Sequence, residues 1–173
     1  GKLWILTEKK TIKDAAKIKV TFVNDAVAEA KLVRYDGNTG LAALTVDLED
    51  LEDSTRNAIT VMKTAGSNTI HKGSIVIALG SPLGTNYSIL TGTITATNNE
   101  ISTPDNNYSV YTTDIVASEN GSGVLINMDG ELVGVVMQSY SAASANTLTA
   151  VEISELMPVI DLLFADKEVP YFG

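Results

Sequence analysis

The chain has 173 residues, 45% hydrophobic and 19% charged, which is apolar enough to pack one domain or two small halves and excludes a disordered chain. Cysteine is absent and histidine occurs once, at His71, so disulfides, a thiolate nucleophile, cysteine-ligated zinc and two-histidine metal motifs are excluded. A net charge of −9 disfavours phosphate backbones and anionic membrane surfaces as partners, and no apolar run approaches the roughly 20 residues of a membrane helix. The residues call for no cofactor and no metal.

Gly1-Lys2-Leu3-Trp4 opens directly into strand-like sequence without a signal-peptide pattern, as in a piece cut from a longer chain. Lys9, Lys10, Lys13, Lys17 and Lys19 form the main basic cluster, and their alternation predicts a solvated strand face. Lys17 to Phe22 alternates polar and apolar strictly, the period of a half-buried strand. Asn24-Asp25 reads as a turn into a second strand through Ala26 to Tyr35. Asp36 to Gly40 is another turn, followed by a strand from Leu41 to Val46. Residues 47–57 are acidic and carry no core stripe, so a solvated loop is expected.

Ser74 to Gly80 is a continuous apolar run, short enough for a buried strand, and Gly80-Ser81-Pro82-Leu83-Gly84 breaks it. A strand is expected from Tyr87 to Ala96, a polar loop from Asn98, and a strand over Tyr108 to Thr113. Val124 to Ile126 and Leu132 to Val136 flank Met128-Asp129-Gly130, a hairpin signal. Ile153, Leu156, Met157, Ile160, Leu163 and Phe164 recur at helical spacing, with Ser154 as N-cap and Pro158 in the first turn. About a dozen short strands closed by one helix indicate a β-barrel or sandwich pair.

Longer strings are more specific. Lys72 to Gly84 is similar to "G-x-x-V-x-A-I-G-x-P-x-G", Thr91 to Ala96 to "T-x-G-I-V-S-A", Thr113-Asp114 to "Q-T-D-A", and Leu125 to Gly134 to "L-V-N-x-x-G-E-V-I-G". Ile5 to Ala15 is similar to "I-L-T-N-x-H-V-I-x-D-A" and Asp36 to Leu44 to "D-x-x-x-D-L-A-L-L". In this order and spacing they resemble the HtrA-type trypsin-like serine proteases over nearly the whole chain. The resemblance implies an all-β, chymotrypsin-like double six-stranded β-barrel with a C-terminal helix, with room for the first barrel to lack a strand. It places a protease-fold domain at 1–168, with a first barrel at about 1–66 and a second barrel plus helix at about 67–168. Residues 169–173 resemble a linker towards a PDZ-like domain outside the chain.

The family's mechanism needs a hydroxyl nucleophile, an imidazole to take its proton and a carboxylate to fix the imidazole. By the resemblance, the base position holds Lys10 and the carboxylate position holds Gly40. The family's "G-N-S-G-G-P-L" meets Glu119-Asn120-Gly121-Ser122-Gly123-Val124-Leu125 with an overall deficit of one residue. A gap after the serine makes Ser122 the nucleophile equivalent; a gap before it puts Gly121 there. With Ser122 aligned, the oxyanion position two before it is Asn120 rather than glycine.

The resemblance therefore implies a pseudoprotease that acts as a peptide-binding, regulatory or scaffold module rather than a hydrolase. The alternative is a weak serine hydrolase in which Lys10 replaces histidine as base for Ser122. Expected partners are proteins or peptides, with a homo-oligomer allowed but not readable, and the place is extracellular or the cell envelope by family analogy. His71 reads as a surface residue and Asp114 as a supporting residue on a strand. Asp47, Glu49, Asp50, Glu52 and Asp53 lack a calcium-loop pattern and read as solvated. Tyr140 to Asn146 matches the position of a specificity-pocket loop, and its small residues equally suit a surface loop.

Overall fold

A computed structural model describes residues 1–84, 87–138 and 146–171. It contains two compact units, Gly1–Val61 with Pro158–Gly173, and Met62–Met157.

The first unit is built on four antiparallel strands, β1 (Lys2–Glu8), β2 (Ile18–Thr21), β3 (Val27–Tyr35) and β4 (Leu41–Asp47), in the order β1-β4-β3-β2. β4 is central and its Leu41 to Val46 are all buried, which explains an apolar run broken only by the buried Thr45. β2 is an edge strand, so it alternates, with Ile18 and Val20 turned inward and Lys19 outward. Ala28, Ala30, Leu44, Val46 and Leu51 form the core, with Leu3, Ile5, Ile12, Ile18, Val20 and Phe22 packed against them.

Two segments here differ from expectation. Lys9–Ile12 is one helical turn, α1, rather than part of a basic strand face, and Asp14 after it takes a positive φ of 58°. Residues 47–57 are not a plain loop: Leu48–Asp50 is a 3-10 turn and Asp53–Ala58 is a short helix, α2. Leu51 and Thr55 are buried, and these two inward positions are too sparse to make a periodic stripe.

The second unit is a closed antiparallel barrel in the order β10-β7-β6-β5-β8-β9. Its strands are β5 (Ile75–Ser81), β6 (Ser88–Ser102), β7 (Asn107–Val116), β8 (Ser122–Ile126), β9 (Leu132–Val136) and β10 (Thr147–Glu152). Inward-facing Val76, Ala78, Ile94, Leu125, Val133 and Leu148 fill it. β6 runs through the polar stretch expected to be a loop, because Asn99, Glu100 and Ile101 pair with Val110, Ser109 and Tyr108 beyond two register shifts. At the β8–β9 hairpin Gly130 adopts φ 78°, and the Asn127 side-chain oxygen accepts the N–H groups of Asp129 and Glu131.

The fold is therefore mostly β, one closed six-stranded barrel and one curled four-stranded half-barrel, with a C-terminal helix, α3 (Ile153–Phe164). The first half has four strands among the described residues rather than six. Ile153, Leu156, Val159, Ile160 and Leu163 are buried along one face of α3. Because α3 begins at Ile153, Ser154 lies within it rather than capping it. Pro158 lies inside the helix rather than in its first turn, forgoing one backbone hydrogen bond.

Candidate functional site

Ser122 opens β8 in the second unit, half-buried and directly opposite Ser81 at the end of β5. The strands meet there through glycine. Gly80 and Gly123 face each other at φ 126° and 134°, and a Cβ on Gly80 would lie 2.8 Å from the Gly123 Cα. A Cβ on Gly123 would run into the Leu79 carbonyl oxygen. Only glycine permits this approach.

The turn before Ser122 is equally tight. Gly121 N–H donates to the Ser118 carbonyl at 2.9 Å, and Ser118 N–H donates to the Pro82 carbonyl at 3.0 Å. A Cβ on Gly121 would sit 2.5 Å from the Pro82 oxygen, so position 121 holds no side chain of any kind. The Gly121 N–H is spent inside the turn; Asn120 is exposed at its outer corner. The Ser118 hydroxyl is buried without a hydrogen-bond partner among the described residues. The two strings Gly80 to Gly84 and Asn120 to Gly123 thus form one packed pair of turns, which neither string reveals alone.

Asp114, eight positions upstream of Ser122 in the chain, anchors β7 to β6. Its carboxylate accepts the Thr93 N–H at 2.7 Å and the Thr93 hydroxyl at 2.9 Å. These bonds, the backbone one first, hold its pKa below the usual carboxylate value. Gly92 is required because a Cβ there would collide with the Asp114 side chain. The neighbouring Thr113 hydroxyl donates to the Leu148 carbonyl at 2.9 Å and accepts the Ile115 N–H at 3.2 Å. Thr113-Asp114 therefore ties β7 to β10 on one side and β6 on the other. Gly92 in the "T-x-G" string and Asp114 in the "T-D" string are one interaction, a link the separate strings concealed.

The other two triad-position residues belong to the first unit. Lys10 lies on α1 with its side chain 54% exposed, and its ammonium is 2.9 Å from the Glu8 carboxylate. Lys9 beside it sits 3.7 Å over the Tyr35 ring. Gly40 has φ 71° and its carbonyl accepts the Lys9 N–H at 2.7 Å. Nothing lies within 4 Å of where a Gly40 Cβ would be. The buried carboxylate of this loop is Asp36 instead, 1% exposed, taking the Thr39 N–H at 2.7 Å and the Thr39 hydroxyl at 2.6 Å on Oδ2. The spacing Asp-x-x-Thr was the available signal for that turn.

His71 stands in an exposed turn leading into β5, where its N–H donates to the Ser74 hydroxyl at 2.9 Å. Asp47 is paired with Lys31 at 3.0 Å and Asp53 with Arg56, so the acidic segment is partly neutralised on the surface. Of the expected specificity-pocket loop, Tyr140 to Ala145 lie outside the described residues.

A family profile described as "Trypsin-like peptidase domain" matches residues 1–135. A "Probable periplasmic serine endoprotease DegP-like" of Marinomonas sp. is 32% identical over 170 residues, 96% of this chain and 34% of that protein. A "Putative serine protease HhoB" of Synechocystis sp. is 30% identical, over 98% of this chain and 40% of its own length. The chain thus spans about a third of the first of these relatives. The solved structure "HtrA-type protease AlgW with decapeptide" superposes with a TM-score of 0.70 at 23% identity, covering 94% of this chain and 48% of that one. The chain belongs to the trypsin-like peptidase domain family and is an HtrA-type trypsin-like serine protease homologue.

Proposed function

We propose that this chain is a proteolytically inactive member of its family that binds peptides as a regulatory or scaffold module. The observation that carries the reading is the chemistry at the matched positions. The base position is a solvent-exposed lysine tied to Glu8, and the carboxylate position is a glycine with open space around it. A general base must receive the serine proton, and an exposed ammonium already in an ion pair has no vacancy for it. A Lys10–Ser122 dyad needs a desolvated neutral amine, which a side chain 54% exposed does not supply.

Peptide binding rests on relationship: the structural relative AlgW is described with a decapeptide. The DegP-like relatives are named periplasmic, which supports placement in the cell envelope. We further assign the protease-fold domain to 1–168, with 169–173 as a linker to a PDZ-like domain, on the resemblance of those strings.

A fluorophosphonate probe tests the inactive reading across neutral to alkaline pH. The expected result is no labelling, with extended peptides still captured in a fluorescence-anisotropy titration. Labelling abolished by Ser122→Ala overturns inactivity and favours the Ser122–Lys10 hydrolase, while failure of a broad peptide panel to bind overturns the module.

A further inference from the structure

The β6–β7 hairpin carries a sequence pattern that neither catalysis nor peptide binding uses. Asn-x-Ser/Thr, the acceptor pattern for N-linked glycans, occurs three times in the chain, at Asn86, Asn107 and Asn120. Bacterial-type oligosaccharyltransferases also read an acidic side chain two residues before the asparagine, which pairs with a basic group on the enzyme. That position holds Gly84 before Asn86 and Ser118 before Asn120; only Asn107 has an acid there, Asp105. Asn86 lies outside the described residues. Asn120 stands at an exposed corner, but Ser122, the hydroxyl residue of its pattern, pairs with Ser81 in the barrel wall. The N–H groups of Ser118 and Gly121 lock that turn from within.

Asn107 is placed differently. It is exposed where β7 begins, just after a turn closed by Thr103 N–H donating to the Asn106 carbonyl at 2.8 Å. Tyr108 is buried, so the strand period turns Asn107 and Ser109 to the same outward face. Asn107 Oδ1 accepts the Ser102 hydroxyl at 2.7 Å, which leaves Nδ2 at the other corner of the amide. Beyond the second register shift, four pairs from Asn99–Val110 to Ser102–Asn107 hold the hairpin end. Such a tip opens locally at small cost, as a transferase that draws the acceptor into its own site requires. We propose that Asn107 accepts an N-linked oligosaccharide on the folded chain. Its Nδ2 bonds to the anomeric carbon of a polyprenyl-diphosphate-linked oligosaccharide. The carbon–oxygen bond to the diphosphate breaks, the diphosphate leaves with the electron pair, and one Nδ2 proton passes to a base of the transferase. Use of the site in cells rests on the envelope placement proposed above, whereas acceptor competence does not.

Incubating the folded chain with an acid-requiring, single-subunit oligosaccharyltransferase and a lipid-linked oligosaccharide tests this, read by peptide-mapping mass spectrometry. The expected result is one glycan per chain, on the peptide that holds Asn107. Asn107→Gln and Ser109→Ala each lose it while the circular dichroism stays that of the parent, and Asp105→Asn loses it as well. Asn120→Gln keeps it. A parent chain left unmodified overturns the proposal. If a free peptide of residues 102–111 is modified in the same mixture, the folded hairpin withholds the site; if it is not, the pattern is not read. A glycan on Asn86 or Asn120 instead, or one that survives Ser109→Ala, overturns it too. Fluorophosphonate labelling and peptide capture do not enter these measurements, so this proposal and the inactive reading fail separately.

Discussion

Gly123 carries the most exacting constraint at the scale of single residues. Its φ of 134° is open only to glycine, and the Leu79 carbonyl occupies the place of any side chain. Gly123→Ala is therefore expected to destabilise the second unit by about 2 kcal/mol or more, read from the shift of the urea midpoint. A loss below about 0.5 kcal/mol would mean the strands part more easily than their register implies. Gly40 poses the opposite case, because space is open but the backbone is left-handed. Restoring a family-like pair with Lys10→His and Gly40→Asp places a carboxylate at φ 71°, at roughly 1 kcal/mol of strain. The double variant is expected to stay unlabelled by fluorophosphonate, since the oxyanion position two before Ser122 still holds the exposed Asn120 rather than glycine. Labelling in that variant, absent in the parent, would show that only the base and carboxylate were missing.

Secondary-structure elements are joined here by side chains that titrate, and two of them respond to pH with opposite sign. Asp114 has a folded pKa below its ordinary 3.8, chiefly through the Thr93 N–H. The β6–β7 tie is thus fully present above that value and is lost as pH falls through the folded pKa. Asp114→Asn is expected to lower stability at neutral pH and to flatten the acid limb of a urea-midpoint profile below about pH 4. Glu152, at the end of β10, is raised from its ordinary 4.5 by burial and then by Glu155. The fold favours its protonated form, so its contribution is largest below 4.5 and is lost as pH rises through the folded pKa. Tyr111, buried against it, has its phenol pushed up to about 12 by burial and by Glu152. Glu152→Gln keeps an acceptor for that phenol and removes the buried charge. Its expected effect is a higher urea midpoint at pH 7 and no gain below pH 4. None of this coupling is legible in sequence. β4 is readable because its burial on both faces writes an apolar run, and β2 because an edge strand alternates. α2 escapes because its burial rests on Leu51 and Thr55 alone. The catalytic-position strings are readable one by one; that Gly92 makes room for Asp114, and Gly121 for Pro82, follows from registers between distant segments.

The whole molecule is governed by an excess of acid that its few ion pairs do not absorb. Lys31–Asp47 at 3.0 Å, Arg34–Asp166 at 2.9 Å and Lys17–Glu29 at 3.7 Å lie at or near the surface. Exposed pairs of this kind contribute about 0–1 kcal/mol each, and salt weakens them. Against that small loss stands the mutual repulsion of a net charge of −9, which acts over the full surface when ions are scarce. Raising ionic strength from about 0.01 to about 0.15 M shortens the screening length from about 30 to about 8 Å, so repulsion across the molecule fades first. Short pairs near 3 Å are affected less. The balance predicts a higher thermal midpoint with added sodium chloride at pH 7. It also predicts a smaller gain near the sequence pI of about 4.5, where the excess charge has been titrated away. Scanning calorimetry at two salt concentrations and two pH values checks both parts. A midpoint that falls with salt at pH 7 would show that local pairing, rather than net charge, dominates the electrostatics of this chain.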